Sequence, residues 1–353
     1  MIWLIIKMNK ETEKDIVNLL MSNLTKKDLE QEVGRFITRA DVFQDPNSIQ
    51  VWIIKQNTRQ ITEKTVELEK FPEYIVNLTI VAPNFFTDVF DGQNVPYWQI
   101  ATIKRVFKDC EVVYDPQDFM KYCLEKSENL AWDEQSIELK RQVSLNLLEK
   151  TKRFIEEDML ADAYVWGIKA VEEAICAQLM KDGLFNVTTP SLLLDSLRKS
   201  PELLKFYTDL LGIEILTPDL AFLSLKELEN LAEHLYHSPA IMKQREEWIL
   251  TAFVSINEAE RKLLRVLKHA ADDNLDMLSW EYLFEDALAE LWQAYFVTAQ
   301  TPWNKEVPLD PWVVGLFWKW FVNETPKYDI GDILDRTKAI LERGSPLLEW
   351  EYE

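Results

Sequence analysis

Residues Asp45–Lys55 read DPNSIQVWIIK, a turn dipeptide followed by a polar entry and then an unbroken apolar run. Pro after Asp marks a turn, and β-branched and aromatic residues in alternation mark a strand. Alternation places Ser48, Gln50, Trp52 and Ile54 on one face of that strand. Two further runs have the same texture, Tyr74–Ala82 (YIVNLTIVA) and Cys110–Tyr114 (CEVVY), each leaving through a turn at Pro83-Asn84 or Asp115-Pro116. On the second strand Ile75, Asn77 and Thr79 share a face. Helical periodicity surrounds these strands over Glu11–Asn23, Lys26–Arg39 and Tyr97–Lys108. Helices alternating with strands predict an α/β or α+β domain on one small sheet.

The texture changes near residue 130. Helical periods run from about Ile137 to Glu157 and from Leu160 to Lys181, the latter ending at Gly183. Thr188-Thr189-Pro190, Thr217-Pro218-Asp219 and Ser238-Pro239 are helix starts, a capping hydroxyl before an early proline. They open helices that include Asp219–His237 and Pro239–His269. After Asp272-Asp273-Asn274 a last helical block, about 275–343, runs to a capping Gly344. The predicted class is α+β: a small mixed sheet with helices over 1–130, a helical bundle over 135–270, and a Trp-rich helical extension over 275–353. Seven of the 13 tryptophans fall between Trp280 and Trp350, read as core or subunit contact.

Asp45–Lys55 resembles the signature strand of the polymerase β-type nucleotidyltransferases, particularly their small antibiotic-modifying branch. The family pattern is Ser-Asp-x-Asp entering an apolar strand. Laid on it, Asn47 stands for the serine, Ser48 and Gln50 for the two aspartates, and Val51–Ile54 for the apolar continuation. Tyr74–Ala82 resembles the strand that delivers the third carboxylate, with Asn77 its equivalent, and Cys110–Phe119 the closing strand with its Tyr-Asp-Pro turn. The helices after Leu130 are similar in kind to the family's substrate-binding bundle, so the resemblance spans residues 25–270.

It implies a metal-dependent phosphoryl-transfer fold, and the departures from it are as telling. Such chemistry gathers carboxylates around Mg²⁺ to neutralise triphosphate charge. Ser48, Gln50 and Asn77 each offer an oxygen but no charge, and the family's Gly-Ser element has no counterpart in Phe36–Asp45. Asp41, Asp45 and Asp88, with Glu67, Glu69 and Glu73, flank the strands and are the acids from which a relocated metal site would be built.

Composition narrows the classes further. Sixty acids against 39 bases give a net charge of −21, which repels phosphate backbones, so nucleic acid is not an expected partner. Eight glycines, none within 13 residues of another, exclude a P-loop or a dinucleotide fingerprint. Three cysteines without a CxxC spacing argue against a disulfide scaffold or a cysteine zinc site, and fit a reducing compartment. The opening MIWLIIKM lacks a basic flank and a cleavage site, and is read as a strand or apolar helix start. No membrane association is expected, and a cytoplasmic location is.

The other motifs stop short. His234 and His237, beside Glu233, lie at i, i+3 without a third metal ligand, and fit a helix C-terminus. Arg265 and His269 have three residues between them, one short of the Arg-x(4–6)-His motif of the HEPN ribonucleases, and Arg261 lies too far away. No Gly-x-Ser-x-Gly elbow is present. Pro311–Trp320 is too densely apolar for a surface platform and reads as a core helix.

Three functions are therefore in play. The first is a catalytically degenerate nucleotidyltransferase-fold protein that binds an unknown small molecule or protein, with no cofactor. The second is an active enzyme using Mg²⁺ and a nucleoside triphosphate on a small cationic acceptor. The third is a structural or oligomerising helical protein, a homo-oligomer through the Trp280–Trp320 region.

Overall fold

The computed structural model describes residues 15–16, 32–38, 48–56, 58, 61–67, 75–92, 95–108, 110–185, 190–212, 217–236, 245–270, 277–300, 314–316, 319 and 327–343. The chain divides into two compact units, Met1–Ala131 and Trp132–Glu353.

The first unit is built on five strands: β1 (Glu32–Thr38), β2 (Ser48–Lys55), β3 (Thr62–Glu67), β4 (Ile75–Val81) and β5 (Cys110–Tyr114). Their order across the sheet is β3-β4-β2-β1-β5, so β2, the strand that decided the reading, lies at its centre. Only β2 and β4 run parallel; β1–β2, β1–β5 and β3–β4 are antiparallel. Three helices of this unit are described in full: α1 (Asn84–Phe90), α2 (Tyr97–Lys108) and α3 (Phe119–Glu128). The α+β class is as expected, a mixed sheet followed by helices.

Helical periodicity over Lys26–Arg39 is corrected by β1, which occupies Glu32–Thr38. Val33, Phe36 and Ile37 fit i, i+3, i+4 spacing, yet the whole strand is buried between β2 and β5. A short apolar run is ambiguous by period, and burial on both faces settles it as strand. The helix expected over Glu11–Asn23 lies outside the described residues except at Asp15 and Ile16, which are helical.

One face of the sheet is closed by aromatics. Phe36 and Trp52, paired in the β1–β2 register, stack at 5.8 Å, and Phe85 and Phe86 of α1 with Phe107 of α2 pack on them. Gln99 Nε2 donates to Phe85 O at 2.6 Å, tying α2 to α1, and Lys104 Nζ caps the end of α3 at Ser127 O and Glu128 O. The Tyr-Asp-Pro turn has a structural role: Asp115 accepts from the Met120 and Lys121 amides at 3.0 and 3.1 Å, satisfying the start of α3.

Gly34 lets α3 approach. A Cβ there would stand 2.9 Å from Met120 Cγ. Gly34→Ala is expected to cost about 1–3 kcal/mol by overpacking, read as a lower urea midpoint with unchanged slope. An unchanged midpoint would show that Met120 gives way freely.

The second unit is helical: α4 (Glu134–Glu156), α5 (Leu160–Lys181), α6 (Pro190–Leu197), α7 (Pro201–Leu210), α8 (Pro218–Tyr236), α9 (Arg245–Ala270), α10 (Met277–Gln300) and α11 (Ile330–Glu342). α5 is its axis, buried on all sides, with α4 and α11 packed along it. Small residues permit the approach: Ser144 Oγ of α4 donates to Ala170 O at 2.8 Å, and Ile330 and Ile333 of α11 close over Gly167. α8 and α10 flank α9. Trp292 and Tyr295 of α10 are fully buried and stack at 5.7 Å. Trp292 is thus core; Trp303, Trp312, Trp318, Trp320 and Trp350 lie outside the described residues.

The Thr217 cap and the Gly183 end stand where the sequence places them, Asp133 adds a cap not foreseen, and the ends at Thr188-Thr189, Ser238 and Gly344 lie outside the described residues. Asp133 accepts from Ser136 N at 2.7 Å and from the Ser136 hydroxyl at 2.6 Å, and the Leu220 amide donates to Thr217 Oγ1 at 3.4 Å. Gly183 closes α5 with a positive φ of 78°. Burial pushes the Asp133 carboxyl up, but the bonds from Ser136 outweigh it and hold it below its ordinary value. Asp133→Ala is expected to cost about 1 kcal/mol at neutral pH. Because the folded pKa is the lower one, wild type and variant converge as pH falls through the carboxylate range. Urea midpoints of the two proteins at neutral and acid pH measure this; a gap that persists in acid would refute the cap.

Candidate functional site

Strand register brings together two of the three positions that the sequence resemblance sets in place of carboxylates. Gln50 on β2 is the parallel-ladder partner of Asn77 on β4. Thr38 on β1 pairs with Gln50 from the other side, Cys110 of β5 pairs with Thr38, and Thr65 of β3 pairs with Asn77. Five residues, one per strand, thus form a row Cys110–Thr38–Gln50–Asn77–Thr65 across the sheet. Residues opposite one another in register point to the same face, and backbones in adjacent strands stand about 4.8 Å apart.

Burial singles out the centre of that row. Ile49 and Val51–Ile54 of β2 are buried, and within the strand Gln50 alone is half-buried between buried neighbours. Asn77 is half-buried between buried Val76 and Leu78. The next row along the same face, Phe36–Trp52–Thr79, is closed under α1 and α2. A half-buried amide pair thus lies one step along the face from a row closed by aromatics.

Gln and Asn are neutral at any pH the protein meets, and each amide offers two donors and a two-lone-pair oxygen. Ser48 sits one pleat earlier on β2, in register with Ile75. Asp88 lies on α1, where its carboxylate accepts from Asn84 Nδ2 at 3.4 Å. Asp41 and Asp45 fall outside the described residues, as do Glu69 and Glu73. Among the described residues no three His, Cys, Asp or Glu side chains come together in a way that could hold a metal ion.

β3 was not foreseen. Its sequence TEKTVE holds three β-branched residues and three charged ones, and register sets Glu63 beside Thr79 and Glu67 beside Ile75. The signal available was its β-branched content, masked by a high charge that suits an edge strand. His234 stands exposed in the last turn of α8, where imidazole favours a helix C-terminus, and His237 lies outside the described residues.

A second polar cluster lies inside the helical unit and was also missed. Lys140 of α4 donates to Glu173 of α5 at 2.5 Å, and Lys169 bonds Glu172 and lies 3.6 Å from Glu173. The Tyr207 hydroxyl of α7 donates to Glu172 at 3.5 Å, and Lys169 Nζ lies 4.9 Å from the Phe296 ring centre. Burial acts against all these charges, yet the lysines outweigh it and hold Glu173 below its ordinary value, while the two glutamates raise Lys169. The group brings two lysines and two glutamates together. The clue was a Glu172-Glu173 pair inside the apolar run of α5. Burial also pushes the thiols of Cys123 and Cys176 up to about 12, so neither is a ready nucleophile.

No known family model matches the sequence, and no curated protein matches it. Among solved structures, the chain is similar to a nucleotidyltransferase-like protein from Exiguobacterium sibiricum, at 12% identity and a TM-score of 0.37. The match covers 54% of this chain and 66% of that one, just under two thirds of its length. No described helix is long and apolar enough to cross a membrane.

Proposed function

We propose that the N-terminal unit is a nucleotidyltransferase-like domain whose carboxylate positions hold neutral amides, and that the protein is a binding or regulatory module. The observation that carries this reading is the Gln50–Asn77 ladder pair. Residues assigned from the family pattern to two different carboxylates fall side by side, on one face, at the half-buried point of the central strand. That is the placement a shared metal requires, and the residues there carry no charge to bind one. Two-metal phosphoryl transfer needs that charge to clamp the attacking and leaving oxygens. The module is proposed to work in the cytoplasm without a metal cofactor, on a small molecule or protein.

Charge is unevenly divided between the units. The first carries 20 acids against 16 bases and the second 40 against 23, so the helical unit holds −17 of the total −21. A basic partner is therefore proposed to meet the helical unit.

Titration calorimetry with ATP, GTP, CTP and UTP, each with Mg²⁺ and with EDTA, tests the reading. Binding that is indifferent to metal, or absent, is expected. Mg²⁺-dependent binding lost in a Gln50→Ala/Asn77→Ala variant would place the active-enzyme reading first.

A further inference from the structure

The two edges of the sheet are not alike. β3 carries Glu63, Lys64 and Glu67, the kind of charge that keeps an edge from pairing with another chain. β5, at the opposite edge, reads CEVVY, with Glu111 its single charge. Val112 is 36% exposed, Val113 41% and Tyr114 42%, so side chains on both faces of this strand lie open, and no described strand lies beyond it. The strand is nonetheless held in place. Arg35 of β1 donates to Glu32 through two bonds of 2.7 and 2.8 Å and sets its guanidinium 5.5 Å from the Tyr114 ring centre, and Asp115 fixes the turn into α3. An ordered, apolar edge gives up little freedom when a further strand joins it.

We infer that the outer edge of β5 pairs with β5 of a second copy of this chain, antiparallel about a two-fold axis at Val112. Charge and register select that occupant. The unit that carries β5 is nearly balanced, with 20 acids against 16 bases, so it neither calls for a basic peptide nor strongly repels its own copy. Val112 is the middle residue of the strand, so this axis pairs Cys110–Tyr114 along its whole length. Val112 then stands opposite Val112 of the second copy and Glu111 opposite Val113, with no acid facing an acid within the strand. An axis one residue away overlaps only Cys110–Val112 or Val112–Tyr114, and sets Glu111 opposite Glu111 or opposite Asp115. The edge is short, so the pair is weak and forms in the range of about 10–100 µM.

Light scattering of the full chain across concentration, in low and in high salt, together with oxidative cross-linking, tests the pairing. The expected result is a monomer–dimer equilibrium that tightens with salt, because each copy carries a net −21. Val112→Lys, at an exposed position, should leave the thermal midpoint in place and weaken the dimer by about tenfold or more. Val112→Cys should give a disulfide-linked dimer under mild oxidant, because directly opposed side chains stand about 4.5–5.5 Å apart. Val113→Cys and wild type should not, since Val113 meets its own copy only on the diagonal, at about 7–8 Å. A chain that stays monomeric throughout overturns the inference. So does a dimer that Val112→Lys leaves untouched, which would be built on another surface, and so does one that links through Val113→Cys but not through Val112→Cys. A dimer that salt dissolves would be held by ion pairs elsewhere, and would overturn it as well.

Discussion

A Gln50→Asp/Asn77→Asp double variant is expected to gain a divalent-metal site. The two positions are ladder partners on one face, so the substitution sets two carboxylates about 4.8 Å apart, within reach of one ion. Without metal the pair repels, at a cost of up to about 1 kcal/mol, and one carboxyl is pushed up. Added Mn²⁺ or Mg²⁺ reverses this by mass action, contributing about 2.7 kcal/mol when metal is at a hundred times its dissociation constant. The thermal midpoint of the variant should therefore lie below wild type in EDTA and rise with metal, while that of wild type stays level. A variant indifferent to metal would mean that the two side chains do not share an accessible space.

The second large effect lies in the helical unit. Glu173→Gln removes one charge from the cluster of Lys140, Lys169, Glu172 and Glu173, and with it the carboxylate that both lysines approach. Breaking a buried pair from one side costs about 3–5 kcal/mol, because the remaining charge stays desolvated. Lys140→Met combined with Glu173→Met removes both partners and should cost clearly less, a contrast that urea denaturation measures directly. The pH dependence has a definite sign. Glu173 titrates lower when folded than when unfolded, so its contribution is complete above the ordinary glutamate range and fades as pH falls through it. The gap between wild type and Glu173→Gln should narrow in acid. A double variant as unstable as the single one would show that packing, rather than charge, sets the loss.

Three of the five strands can be read from the sequence because burial and local pattern agree there. In Ile49–Lys55, Tyr74–Ala82 and Cys110–Tyr114, β-branched runs adjoin Pro or Asp-Pro turns, before the first and after the other two. Helix ends are legible for the same reason: Thr217-Pro218 carries its own capping oxygen, and Gly183 takes a conformation that costs glycine nothing. β1 was hidden because Val33, Phe36 and Ile37 satisfy helical and strand spacing alike, and only its place between β2 and β5 decides. α1 was hidden by its short length, Pro83-Asn84 reading as a turn where it is a helix entry.

The candidate site divides in the same way. That Gln50 and Asn77 each face one side of a strand follows from alternation. That they face each other does not, since strand order and register are properties of the folded sheet. The buried charge cluster shows the reverse weakness: Lys169, Glu172 and Glu173 are visible within one apolar helix, but Lys140 comes from α4, and its pairing with Glu173 across 33 residues leaves no local trace.

The central claim is that the domain kept the sheet and gave up metal-dependent transfer. It is tested most directly by incubating the purified chain with each labelled nucleoside triphosphate, Mg²⁺ or Mn²⁺, and a panel of small cationic acceptors. The expected result is no transfer above the level of a Ser48→Ala/Gln50→Ala/Asn77→Ala variant. Transfer by wild type that the triple variant abolishes would contradict the account, and would make those three residues part of a working active site.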